Sequence, residues 1–226
     1  DGKIEAVGAL AMILHASEIA QGNYWQKRIG QAALEVLGPM DFCGVINYSA
    51  LGDSWLWGSS ATPAGMLRVG DNRPAMVPRL RRMPPGDLPD SQPSMQMALA
   101  SLSNTPASIK HMIIISDGDP TPPARGILNQ FANNKIKIST VAVGAHGPAG
   151  HQTLQNIATR TGGNYYVATN PTALPKIFQR EAMRVSRPLV YEPDGGLNPQ
   201  ITYPHEVVQG LSRQLPNLRG FVLTTA

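Results

Sequence analysis

Two runs restrict the fold more than anything else in this chain: Val7 to Leu14 (VGALAMIL) and Lys110 to Ser116 (KHMIIIS). Each is a strand-length apolar stretch that breaks off at a polar turn, His15-Ala16-Ser17-Glu18 after the first and Asp117-Gly118-Asp119 after the second. A sheet with one wet face would show alternation of apolar and polar residues. Strands apolar on both sides have to be covered on both sides, as in a parallel sheet flanked by helices.

The remaining elements supply that cover. Trp25, Ile29, Ala32, Ala33, Val36 and Leu37 fall at helical spacing and end at Gly38-Pro39, which predicts an amphipathic helix. Strands are predicted over Phe42 to Ser49 and, after a Gly52-Asp53 turn, Trp55 to Gly58. Helices are predicted over Pro74 to Met83, Ser94 to Ser103 and 123–133. Downstream come strand Ile136 to Val143, helix His151 to Thr161, strand Asn164 to Val167 and helix Thr172 to Val185. Strand and helix alternate, so the fold class is α/β, with a mostly parallel sheet and a short antiparallel edge strand. From residue 187 the pattern stops: Pro188, Pro193, Pro199, Pro204 and Pro216 interrupt the chain at short intervals. The expected organisation is therefore a domain over 1–186 and a proline-rich connector or partial β element over 187–226. Asp1 at the start and the strand-like run at 220–226 predict an excerpt of a longer chain.

Composition removes whole classes of function. The single cysteine, Cys43, forms no internal disulfide and no CxxC zinc pair, and no run of 18 apolar residues is present to span a membrane. Net charge is +4, and no carboxylate occurs between Asp119 and Glu181, where Arg125, Lys135, Lys137, Arg160, Lys176 and Arg180 fall. These bases are dispersed, and aromatics are only 6% of the chain, so a solvated basic face is expected and a nucleic-acid partner is not. Phosphate-loop, dinucleotide, nucleophile-elbow and zinc-protease signatures are all missing. His111 reads as a structural residue on its strand, His146 and His151 as solvated, Met95, Met97 and Met112 as core, and Cys43 as an inert buried thiol.

In sheets of this class ligands sit beyond the carboxyl ends of the strands where the strand order reverses. Those ends carry His15, Ser17, Glu18, Asp117 and Asp119. At these residues the chain resembles a von Willebrand factor A domain over about residues 5–185. The stretch Leu37 to Ile46 (LGPMDFCGVI) is similar to the family's signature between first helix and second strand, with Asp41 as a turn residue, and the strand ending in Ile115-Ser116-Asp117-Gly118 is similar to the family's later acidic strand end. The resemblance implies a three-layer α-β-α fold and a non-enzymatic protein-interaction module. It also implies a cell-envelope or membrane-anchored parent protein, with no membrane contact by this stretch of it.

Many members of that family hold a metal ion on an Asp-x-Ser-x-Ser turn, a threonine and a late aspartate. Ser17 falls on the first serine and Asp117 on the late aspartate. His15 stands in place of the first aspartate and Ile19 in place of the second serine; Asp90, Ser91 and Ser94 are the substitutes near the missing threonine. The resemblance thus implies a weakened site for Mg²⁺ or another divalent cation at His15, Ser17, Asp90 and Asp117, with Glu18, Ser91, Ser94 and Asp119 on the partner-binding loops. Imidazole in place of carboxylate favours softer ions over Mg²⁺, and a metal-free His15–Asp117 contact is the competing expectation. The presented loops are 15–21, 84–94, 117–123 and 144–150, and the partner is a protein of unknown identity. Two further readings stand beside this one. Asp117-Gly118-Asp119-Pro120-Thr121 also fits the Asp-x-Asp-x-Thr turn of haloacid-dehalogenase-like phosphatases, although no carboxylate follows from 120 to 180 to complete a Mg²⁺ site. In a second register residues 3–20 would form a helix after a first strand lying upstream.

Overall fold

The computed structural model describes residues 7–15, 19–84, 86–118, 120–144, 147–186, 190–191, 195–203, 205–211 and 215–222. The chain divides into two compact units, Asp1–Arg187 and Pro188–Ala226. In the first, the elements in chain order are β1 (Gly8–Leu14), α1 (Gly22–Val36), β2 (Phe42–Ser49), β3 (Gly52–Trp55), β4 (Leu67–Arg68), α2 (Val69–Arg81), α3 (Ser91–Asn104), β5 (Ile109–Ser116), α4 (Arg125–Asn133), β6 (Ile136–Ala142), α5 (Gly147–Thr161), β7 (Tyr165–Val167) and α6 (Leu174–Ser186).

The sheet runs β3-β2-β1-β5-β6-β7, with β4 pairing β2 as well. All pairings are parallel except β2–β3 and β2–β4 at one edge. VGALAMIL is a strand paired on both sides, by β2 and β5, so the helical second register is overturned. Alternate residues of the central strands face two helical layers. Leu10, Met12, Leu14, Ile113 and Ile115 pack with α1, α2 and α6; Ala9, Ala11, Ile13, Met112 and Ile114 pack with α3, α4 and α5. That two-sided burial is what the unbroken apolar runs demanded.

Several element starts differ from the sequence expectation, among them α2, which begins at Val69 instead of Pro74, and α3, which begins at Ser91 instead of Ser94; two more show why. The third strand begins at Gly52, not Trp55: Ser49 pairs with Gly52, and the turn is Ala50-Leu51. Gly52 takes φ +88°, which lets a tight hairpin close where a longer turn was expected. Helix α5 begins at Gly147, so the Gly-Pro-Ala-Gly segment read as loop is its first turn. Pro148 fits there because first-turn N–H groups have no intrahelical acceptor. In the second unit the pairs Val190–Val222 and Tyr191–Phe221 join β8 (Val190–Tyr191) to β9 (Phe221–Val222) antiparallel, and an isolated bridge links Leu197 to Leu218.

Candidate functional site

The chain leaves β1 for β2 on one side and returns to β5 on the other, so the strand order reverses between β1 and β5. A crevice is expected beyond their carboxyl ends. Register sets what meets there: Leu14 pairs with Ile115, and the His15 N–H extends the ladder to the Ile115 carbonyl at 3.1 Å. His15 therefore lies beside Ser116 and Asp117. Its Nδ1 is 3.3 Å from Ser116 Oγ and 3.8 Å from Asp117 Oδ1, and its Nε2 is 3.0 Å from Asp87 Oδ1. A carboxylate can only accept, so Nε2–H donates to Asp87; Nδ1 then accepts from the Ser116 hydroxyl when the ring is neutral and donates to it when the ring is charged. The Gly118 N–H donates to the same Ser116 Oγ at 3.0 Å. His15 and Asp117 are 2% and 1% exposed, whereas the Asp87 side chain is 69% exposed, so one leg of this cluster stands in water.

Close backbone approaches hold these loops. A Cβ on Gly86 would fall 1.9 Å from the Tyr48 carbonyl oxygen, which seats the Asp87 loop on the end of β2. Gly118 has φ +82°, and a Cβ there would come within 2.5 Å of Gly150 Cα, so the Asp117 turn rests on the first turn of α5. The 84–94 loop is tied to the 117–123 loop by Ser91 N–H to the Thr121 carbonyl (3.2 Å) and Thr121 N–H to the Pro89 carbonyl (3.0 Å). Beyond them the β2–β3 hairpin overhangs, with Leu51 at its tip 98% exposed.

The residues singled out from sequence have separate positions. His15 and Asp117 meet. Asp90 is the N-cap of α3, accepting from Gln92 N–H at 2.8 Å; this relieves an orphan donor. Ser91 contributes its backbone, and Ser94 is buried with its hydroxyl on Asp53. Ser17, Glu18 and Asp119 lie outside the described residues. Asp87 escaped the sequence reading. It sits in a proline-rich loop with no periodicity, and only the overhang of β2 brings it to His15. Mg²⁺ wants about six hard oxygens, but in this crevice an imidazole holds the position, with its two nitrogens already bonded to Asp87 and Ser116. Among the described residues no trio of histidine, cysteine or carboxylate groups is arranged to hold an ion. Among the described residues this donor set does not make a site for a hard divalent cation; Ser17, Glu18 and Asp119 are outside them.

A second polar cluster lies under α6, away from the crevice. Glu181 is fully buried, and its carboxylate accepts from His111 Nε2 (3.0 Å), Ser139 Oγ (2.6 Å), Tyr166 Oη (2.5 Å) and Asn164 Nδ2 (3.1 Å), with Arg184 Nε at 3.3 Å. Burial alone would raise its pKa; the hydrogen bonds from His111, Ser139 and Tyr166 outweigh burial and hold it at about 2. Burial, together with donation to that carboxylate, pushes the Tyr166 hydroxyl up to about 12. His111 is thus structural, as its strand position suggested. His151, expected in solvent, is half-buried and bonds Tyr165 Oη at 2.5 Å.

Residues 87–167 match the family model described as the von Willebrand factor type A domain. No curated protein sequence matches the chain. Among solved structures, a von Willebrand factor type A protein from Catenulispora acidiphila shares 19% identity and a TM-score of 0.67 over 84% of this chain; the chain spans 46% of that structure's length. An aerotolerance-related membrane protein from Bacteroides fragilis matches with 13% identity and TM-score 0.54, covering 79% of this chain and 99% of its own. The vWF domain of the type V pili tip protein Mfa5 from Porphyromonas gingivalis matches with 12% identity and TM-score 0.54, covering 80% and 97%. These likenesses establish the fold.

Proposed function

We propose that the von Willebrand factor type A domain of this chain is a non-enzymatic module that binds a protein partner through the loops at the carboxyl end of its sheet. The observation that carries this reading is His15 joining three of those loops from within: its own, the Asp87 loop and the Ser116-Asp117 turn. The loops are preorganised by side chains of the chain itself, at a strand-order reversal, beside the fully exposed Leu51. A polar surface held from within, with one apolar anchor and only the solvent-facing Asp87 leg and the hairpin left to adjust, suits recognition, since preorganisation lowers the entropy lost on binding. The similar pilus tip protein agrees with an adhesive role, and the similar membrane protein with a parent chain in the cell envelope. The cation comes second in this reading, because His15 stands where the family's first aspartate ligand is expected. The phosphatase alternative has less support: Asp117 is 1% exposed, and no carboxylate follows from 120 to 180.

The test is site-specific photo-crosslinking in the source cells with a benzoyl-phenylalanine at Leu51 or Ser91 on the rim and, as control, at Gln130 on α4. The expected result is one discrete adduct from the rim positions only. Adducts of equal yield at all three positions, or aryl-phosphate hydrolysis lost in Asp117→Asn, would overturn the proposal.

A further inference from the structure

At the other end of β2 from this rim lies a cavity of about 360 Å³ between the 57–61 segment, β4 and α2, lined by Trp57, Ser60, Leu67, Asn72, Met76 and Arg79 among others. Its floor is apolar and fixed. Trp57 is 2% exposed, and its indole N–H donates to the Cys43 carbonyl at 2.9 Å, so swinging the ring out would break a buried hydrogen bond and expose the ring. Its wall is one face of α2, since positions 72, 75, 76 and 79 recur at helical spacing. Its mouth is polar and holds no carboxylate. Asn72 spends one amide hydrogen on the Arg68 carbonyl at 2.8 Å, leaving its oxygen free to accept. The exposed Arg79 makes only a 3.5 Å contact with the Leu56 carbonyl.

The charge around this mouth is one-sided. Residues 66–83 hold five arginines, Arg68, Arg73, Arg79, Arg81 and Arg82, against one carboxylate, Asp71. Two of the five are accounted for. Arg73 caps the end of α1 through the Leu34 and Leu37 carbonyls at 2.5 and 2.7 Å, and Arg68 lies over the Phe42 ring at 5.0 Å on the other side of the sheet. Among the described residues Arg79, Arg81 and Arg82 have no carboxylate within ion-pair distance, and Arg82 prolongs the 75–79 stripe past the cavity. The helix end itself attracts cations, but that does not account for a cavity with an apolar floor opening beside Arg79.

We infer that this cavity is a second binding site, which takes an aliphatic side chain of an acidic peptide segment on a protein partner while the neighbouring carboxylates pair with Arg79 and Arg82. The volume is near the lower end of the roughly 300–1,000 Å³ usual for ligand sites, so it admits a side chain or two and leaves the rest of the segment along α2. Nucleic acid is a poor occupant, because Trp57 is buried and no exposed aromatic lines the mouth for a base to stack on.

The experiment is fluorescence anisotropy with a labelled octapeptide alternating leucine and glutamate, against the same peptide with lysine or glutamine for glutamate and a single-stranded oligonucleotide of equal charge. Binding is expected for the acidic peptide alone, weakening steeply between about 50 and 300 mM salt. Arg79→Gln, an exposed substitution, should weaken it about tenfold or more. Ala75→Trp, which fills the cavity and leaves Arg79 in place, should abolish it, with near-ultraviolet circular dichroism verifying the fold. Asp87→Ala on the rim should leave it unchanged, so failure at the cavity is separable from failure of the rim reading. Equal affinity for the glutamine peptide, tighter binding of the oligonucleotide, an unaltered Arg79→Gln, or no acidic-peptide binding at low salt would each overturn the inference.

Discussion

Replacing Glu181 with glutamine keeps the shape of the side chain and removes its charge, isolating what the buried carboxylate contributes. Its pKa falls from an ordinary 4.5 to about 2 in the folded domain. A depressed carboxyl pKa stabilises the fold above its unfolded value, and that stabilisation is lost as pH falls through the folded value. At about 1.36 kcal/mol per unit, the shift corresponds to roughly 3 kcal/mol at neutral pH, of which about 2 kcal/mol is gone by about pH 3. Glutamine also turns one acceptor oxygen into an amide donor facing His111 or Tyr166, so the total cost at pH 7 should reach about 3–5 kcal/mol. The assay is urea unfolding of both proteins at several pH values between about 7 and 3, followed by circular dichroism. The gap between them should narrow by about 2 kcal/mol towards the acid end, whatever the other carboxylates do, since those are common to both. A gap that stays constant across that range would show that the glutamate is not held ionised by its donors, and the reasoning would fail.

Gly118→Ala should cost roughly 3 kcal/mol or more, combining positive φ with the contact against Gly150, whereas Gly162→Ala, with φ +72° and open space, should cost about 1 kcal/mol; thermal melts of the two variants decide. His15→Ala removes the buried imidazole and its contacts with Ser116 and Asp87 and should cost about 2–3 kcal/mol, while Asp87→Ala, at a solvent-facing position, should cost under about 1 kcal/mol, as chemical denaturation would show. Cys43, fully buried and with its thiol pushed up to about 12 by desolvation, should resist disulfide-exchange reagents at pH 8 until the domain unfolds, which a thiol titration with and without urea will test. Chelation by EDTA should leave the melting temperature unchanged; an ion at a hundred times its Kd would add about 2.7 kcal/mol, a drop of several degrees on removal.

The strands were readable because each apolar run is buried on both faces, so burial and sequence report the same thing. Ile113, Ile114 and Ile115 alternate between two helical layers, and no polar position interrupts them. Helix starts were less readable where the cap is not a side chain. Neither α1 nor α2 has a capping side chain; the N–H groups of Val69 and Gly70 are met by the carbonyls of Asp41 and Pro39 from across the fold, a signal with no local trace. In the site, His15 and Asp117 were legible as the two residues that end adjacent strands. Asp87 was not, because its partner is 72 residues away and its loop has no pattern. Glu181 was equally silent: on a predicted helix a lone glutamate reads as surface, and only tertiary placement shows five polar groups converging on it.

The two polar clusters give the two ends of β5 different mechanical characters. At the end carrying His111, α6 is tied to β5, β6 and the β7 edge by oriented hydrogen bonds to a single buried carboxylate. Sliding α6 by one turn would leave that carboxylate and its donors unpaired without water, at a cost of several kcal/mol. At the end carrying Ser116, only the Asp87 side of its single bond to His15 stands in water, so opening it rehydrates the carboxylate and costs one hydrogen bond, on the order of 1–2 kcal/mol, instead of several. Any adjustment to a partner therefore falls to the 84–90 loop and the overhanging hairpin. Helix α6 is the fixed element against which they move, and a partner gripping Leu51 or Asp87 can reshape the rim without disturbing the packing beneath it.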